Sequence, residues 1–208
     1  MSYDRILGNV QRYYDGKIEA YGATARGVDW NSIESQRLRF CQLLKLCEPA
    51  ESFVINDYGC GYGALVDYLF EAGYAFAYWG FDVSSQMIAK ARELHAAEDG
   101  VAFVSDESML VEADYTVASG IFNVKLDTPE AEWQQLVLHT LDRINRLSTR
   151  GFAFNILTKY SDPELMRSDL YYADPLFFFH HCRANFSRFV SLLHDYPLYE
   201  FTILVRKT

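Results

Sequence analysis

Cysteine is scarce in this chain and poorly spaced for chemistry. The four thiols, Cys41, Cys47, Cys60 and Cys182, form no C-x-x-C pair. Neither a zinc site nor a disulfide framework is suggested. No apolar run reaches the length of a membrane span. The N-terminus, Met1-Ser2-Tyr3-Asp4-Arg5, has neither the basic nor the apolar region of a signal peptide. Positive charge is also in deficit: 19 Lys and Arg stand against 28 Asp and Glu, a formal net charge of −9. The short Arg206-Lys207 tail does not make a basic patch. Because phosphate neutralisation dominates nucleic-acid affinity, such a chain is a poor nucleic-acid binder. The expectation is a reduced, cytoplasmic protein with no metal, no membrane partner and no nucleic-acid partner. The oligomeric state stays open.

The 208 residues are 50% hydrophobic and 16% aromatic, which argues against disorder. A chain of this size buries roughly 70% of its extended surface, so a full core is expected. There is no internal repeat.

The most informative segment is Val54-Ile55-Asn56-Asp57-Tyr58-Gly59-Cys60-Gly61-Tyr62-Gly63. An apolar strand ends in an acid and runs into three alternating glycines, and Ala64 to Ala72 then reads as a helix. A second strand ends at Asp82, 19 residues beyond Gly63 (82 − 63). Glycines let a backbone approach a ligand closely, and an acid ending the next strand can accept both hydroxyls of a ribose. The combination points to a nucleotide-type cofactor.

Strands and helices alternate from residue 52 on. Strands are expected at Phe53–Asp57, Phe76–Asp82, Val101–Ser105, Tyr115–Ser119 and Phe152–Leu157. Ser84 should cap a helix over Ser85–Ala96. Thr128-Pro129-Glu130 should start another, whose buried face runs from Trp133 to Leu147 and which ends before Gly151. Such alternation implies a parallel sheet covered on both faces. Asp174-Pro175 opens a short helix to about Arg183. Arg188–Leu193 and Tyr199–Arg206 read as two strands joined too tightly to be parallel. Upstream, Asn31-Ser32-Ile33-Glu34 reads as a helix cap, with Asn31 and Glu34 in capping-box positions. Val10–Tyr21 reads as a short helix interrupted at Gly16.

Asp57-x-Gly59-Cys60-Gly61-x-Gly63, followed by Gly80-Phe81-Asp82-x-Ser84-x-x-Met87-Ile88-x-x-Ala91, resembles the class I S-adenosylmethionine-dependent methyltransferases. The spacing differs from the G-x-G-x-x-G of hydride-transferring enzymes. The resemblance implies a three-layer α/β sandwich with a Rossmann-like, mostly parallel seven-stranded sheet, a C-terminal antiparallel hairpin and an N-terminal helical cap. It implies one domain over 1–208: a cap at 1–50, a cofactor-binding core at 51–158, and a substrate wall and hairpin at 159–208. It implies S-adenosylmethionine as cofactor and S-adenosylhomocysteine as product. On this reading Asp57, Gly59, Cys60, Gly61 and Gly63 form the cofactor loop. Asp82 takes the ribose, Val83 and Met87 flank the adenine, Asp106 faces its amino group, and Ser119 and Gly120 meet the methionine part. Tyr14 belongs to a tyrosine-rich start that covers the cofactor.

The acceptor site is less defined. His180, His181 and Tyr160 are candidates for catalytic roles; Arg26, Trp30, Lys159, Tyr160, Arg167 and Tyr172 are candidates for the substrate wall. His95, His139 and His194 receive no role. The chain reads Ser119-Gly120-Ile121-Phe122 after the fourth strand, not the Asn/Asp-Pro-Pro-aromatic motif of enzymes that methylate base amines. The expected acceptor is a small molecule, methylated at oxygen by in-line displacement. The alternative is a protein that binds the cofactor as a sensor or partner without transferring methyl.

Overall fold

The computed structural model describes residues 3–207. Seven strands form one sheet in the order β3-β2-β1-β4-β5-β7-β6. They are β1 (Phe53–Tyr58), β2 (Phe76–Phe81), β3 (Val101–Val104), β4 (Ala113–Ala118), β5 (Ser148–Leu157), β6 (Phe189–Leu193) and β7 (Glu200–Arg206). The first five run parallel, and β7 lies antiparallel between β5 and β6. Six helices accompany them: α1 (Asp4–Tyr21), α2 (Ile33–Leu44), α3 (Ala64–Glu71), α4 (Ser85–Leu94), α5 (Glu130–Leu147) and α6 (Pro175–Asn185). This is the α/β, mostly parallel, seven-stranded arrangement with an antiparallel end that the alternation and the resemblance imply.

The two-residue period of the strands sorts the core into two layers. On β5, Phe152, Phe154 and Ile156 pack with Trp133, Val137 and Leu141 of α5 and Phe178 of α6. Ala153, between them, points the other way, into a cluster with Leu43 of α2, Leu65 and Leu69 of α3 and Ile88 of α4. The chain leaves β1 towards β2 and leaves β4 towards β5, in opposite directions along the sheet. A crevice therefore opens between the C-terminal ends of β1 and β4, the place where α/β sheets bind ligands.

Three local expectations change. Helix α1 runs from Asp4 to Tyr21 without a break at Gly16. Glycine costs about 1 kcal/mol in a helix interior. Here Ile6, Val10 and Ile18 are buried along the opposite face, and that packing wins. Helix α2 is capped by Ser32, not Asn31: Ser35 N donates to Ser32 Oγ at 3.1 Å. Helix α5 ends at Leu147 and enters β5 directly at Ser148, so Gly151 lies inside the strand. Ser148 is buried and its hydroxyl donates to Ile144 O at 2.7 Å, closing the helix without a loop. At Gly151 a Cβ would stand 2.4 Å from Val205 O, so glycine is there for the close approach of β7.

Candidate active site

A cavity of about 410 Å³ fills the crevice. Its floor is the turn after β1. Gly59 N and Cys60 N both donate to Phe81 O, at 2.7 and 2.9 Å, which ties the turn to the end of β2. Gly61 has φ +56, and a Cβ there would meet Val28 at 2.8 Å. A side chain would fill the space where this backbone faces the cavity.

Asp82 follows β2 and fastens the floor. Its Oδ2 accepts from Gly61 N and its Oδ1 from Ser84 N, both at 2.9 Å. Burial, set against these two backbone donors, leaves its carboxyl raised to about 6. Ser84 Oγ accepts from Met87 N at 3.1 Å as the cap of α4, and its hydroxyl donates to Asp15 of α1. Asp57, at the end of β1, is buried and accepts from Tyr78 Oη at 2.8 Å. Desolvation lifts its carboxyl to about 7, against the lowering effect of the tyrosine.

Helix α1 is the roof. Tyr3, Leu7, Val10 and Tyr14 line the cavity, spaced as one face of a helix. Burial holds the Tyr14 phenol far above its ordinary range, so it is a neutral hydroxyl. Four polar contacts seat the roof: Asp15 to Ser84, Tyr13 and Lys17 each to Asp29, and Arg5 to Glu132. A second wall comes from α5, through Trp133, Leu136, His139, Thr140 and Arg143. Arg143 Nε donates to Glu107 Oε1 at 2.7 Å, and Glu107 stands beside Tyr58. The third wall is Val28, Trp30, Gln36 and Phe40, from the turn before α2 and from α2 itself. Beyond β4, Ser119, Gly120, Ile121 and Phe122 close the space.

The structure thus brings Tyr14, Asp57, Gly59, Cys60, Gly61, Asp82, Val83, Met87, Ser119 and Gly120 around one cavity. Two expected cofactor residues are not on its wall. Gly63 turns away: a Cβ there would meet the His95 and Phe103 rings at 2.9 Å. Asp106 is exposed, its carboxylate spent on its own turn, where it accepts from Ser108 N and Oγ at 2.9 and 2.7 Å. Its neighbour Glu107 faces the cavity in its place.

Of the substrate candidates, Trp30 alone lines the cavity. Arg26 is exposed on a short 3-10 turn, Ala25–Val28. Lys159 pairs with Asp174 at 2.8 Å. Arg167 pairs with Asp169, and its backbone N donates to Tyr172 Oη. Tyr160 is exposed beside His194. His180 is exposed on α6, and His181 packs between Phe177 and Phe186. Burial lowers the pKa of His181, but neither histidine reaches the cavity. Glu107, His139, Arg143, Gln36 and Tyr62 were the residues missed. The first three follow from no local motif; Gln36 could be noticed as an amide in the apolar stripe of α2.

A seven-stranded sheet with a glycine-turn cavity at its switch point and an acid after β2 defines a class I methyltransferase fold. The comparisons agree. Residues 55–143 match the methyltransferase domain family. A protein of Mycobacterium tuberculosis, named Putative methyltransferase Rv1506c, is 50% identical over 164 residues, 79% of this chain and 99% of its own. Magnesium protoporphyrin IX methyltransferase from Synechocystis, solved with bound S-adenosylhomocysteine, superposes with a TM-score of 0.67 at 15% identity, over 99% of this chain and 100% of that one. The Burkholderia thailandensis 1,6-didemethyltoxoflavin-N1-methyltransferase, solved with bound 1,6-didemethyltoxoflavin and S-adenosylhomocysteine, gives 0.62 at 16% identity, over 95% and 90%. The chain belongs to the class I S-adenosylmethionine-dependent methyltransferases.

Proposed function

We propose that this enzyme methylates a small-molecule acceptor at oxygen, using S-adenosylmethionine held in the cavity under α1 and releasing S-adenosylhomocysteine. The observation that carries the reading is the cavity: about 410 Å³, roofed by a helix, and in the size range of small-ligand sites. Its residues suit the cofactor. The glycine floor admits a ligand where a Cβ would intrude. Asp82 can accept from ribose hydroxyls, Val83, Met87 and Ile121 offer apolar surface for a base, and Ser119 Oγ is a buried hydroxyl with no protein partner.

When bound, S-adenosylmethionine supplies an electrophilic methyl on its sulfonium. The chain supplies position and dryness, and correct positioning is worth roughly 7–11 kcal/mol in such reactions. Leu7, Val10, Ile121 and Phe122 give the cavity an apolar wall. A roofed, mostly apolar cavity favours a compact acceptor over a macromolecule. The Synechocystis and Burkholderia enzymes are named for ring compounds, which is in keeping with such a wall. The exocyclic amine of a nucleobase is disfavoured because Ser119-Gly120-Ile121-Phe122 stands where enzymes that methylate such amines carry an Asn/Asp-Pro-Pro-aromatic motif. Four unpaired cysteines suit a reducing, cytoplasmic setting.

The test is transfer of labelled methyl from S-adenosylmethionine into size-fractionated cell extract. Label in a small, base-labile or ether-stable oxygen product is expected. Label confined to protein or nucleic acid overturns the acceptor class.

A further inference from the structure

The sheet face beside α5 lacks a helix of its own. β3 and β4 are joined by eight residues (113 − 104 − 1), and among them is only the short 3-10 turn Glu107–Met109. A parallel crossover usually needs a dozen or more residues and carries a helix. This one also passes β2 and β1, which lie between the two strands it joins. The face it leaves holds a small cluster, Phe81, Val104 and Leu110, packed with Tyr58, Val83 and Leu147 of α5. The cavity extends over that face. Leu136, His139, Thr140 and Arg143, spaced as one face of α5, line the extension together with Tyr58 and Glu107.

This extension is where the cavity meets solvent. Among the described residues that line the cavity, the exposed ones are Asp4, Leu7 and His139, on the first turns of α1 and the middle of α5. The contacts across this mouth are slight. The Tyr3 and His139 rings lie 5.2 Å apart, and the Arg5–Glu132 pair has an arginine side chain 70% exposed, which holds weakly. Ile6 is buried beside them and keeps α1 seated, so the mouth is framed by side chains and not by a moving helix. The other half of α1 is held more firmly. Asp15 takes the hydroxyl of Ser84, and Tyr13 and Lys17 share the carboxylate of Asp29, all partly buried. A ligand leaving on that side would have to break all three contacts.

We propose that S-adenosylmethionine enters and S-adenosylhomocysteine leaves through this side mouth, between Leu7 and His139, while the roof stays latched. The proposal rests on the cofactor reading above. On that reading Val83 flanks the base, and Val83 packs in the same cluster as Tyr58. The base is therefore the end nearest the mouth, and the product departs base first. Product release limits turnover in many enzymes. Here its rate is set by rim side chains, and the cofactor is exchanged without lifting α1.

Rapid-filtration kinetics on the full chain test it, with tritiated S-adenosylhomocysteine as the probe and calorimetry for Kd. Leu7→Tyr, which narrows the mouth, is expected to slow association and dissociation each about five- to tenfold. Leu7→Ala, which widens it, is expected to quicken each about threefold. In both variants Kd should stay within about twofold of wild type, because a doorway changes both rates together. Asp15→Ala, which frees the latched half of α1, is expected to leave both rates within about twofold. Rates indifferent to the Leu7 variants, a change confined to dissociation, or exchange quickened more by Asp15→Ala than by Leu7→Ala overturn the proposal while leaving the cofactor reading intact. Wild-type protein that does not bind the probe overturns the cofactor reading itself.

Discussion

Asp82 lines the cavity and is also a structural clasp, because its two oxygens take the N–H groups of Gly61 and Ser84. Asp82→Ala should weaken S-adenosylhomocysteine about 10- to 100-fold by calorimetry. It should also lower stability by about 1–3 kcal/mol in urea melts, since two backbone donors lose their acceptor. Unchanged affinity would remove Asp82 from the binding site. Asp57 makes a different prediction. Its folded carboxyl is raised to about 7 by burial. The folded, ligand-free protein therefore keeps a proton that the unfolded chain gives up near pH 4. That contribution is present below the unfolded pKa and is lost as pH rises through about 7. Asp57→Asn, which keeps an acceptor for Tyr78, should flatten this slope. Its melting midpoint should gain on wild type between pH 5 and pH 8, by the equivalent of about 2–4 kcal/mol. Parallel pH curves would refute the shift. These residues were legible in the sequence because they sit in one contiguous motif. Glu107 was not: whether an acid after a strand faces in or out turns on one residue of register, and Asp106 spends its carboxylate on its own turn.

Helix α1 shows how an element's role depends on what it covers. Its cavity face and its latch to Ser84 lie on a helix whose nearest core partners come more than 60 residues later. Asp15→Ala removes the latch and leaves the apolar face intact. Amide exchange over residues 4–21 should then quicken about three- to tenfold, the equivalent of about 1 kcal/mol, while β1 and β4 stay protected. Exchange unchanged along α1 would show that apolar packing alone seats it. The alternation of strands and helices could be read from periodicity, and so could the order of elements. The unbroken α1 and the loopless passage from α5 to β5 could not. In both, tertiary burial overrides a local glycine signal: Gly16 faces open space, and Gly151 is required by β7.

Among the described residues one ion pair is buried on both sides, between residues 161 apart: Arg39 of the cap and Glu200 of the terminal hairpin. Burial pushes the Glu200 carboxyl up, and Arg39 only partly offsets it. Arg39→Met should cost about 3–5 kcal/mol in denaturant melts by stranding a buried carboxylate, and adding Glu200→Gln should recover much of it. An additive double variant would show that the two do not act as a pair. Sequence reading found both ends of this contact only as separate pieces, a helical cap and a hairpin. Nothing in either segment announces the other. The same contact presses against Trp30, which faces the cavity together with Trp133, while Trp79 does not. Two of the three indoles in the chain are thus built into the wall of the cavity. The protein thereby carries its own optical gauge for the proposed site: its occupancy should quench the native emission, with no dye attached and no turnover required.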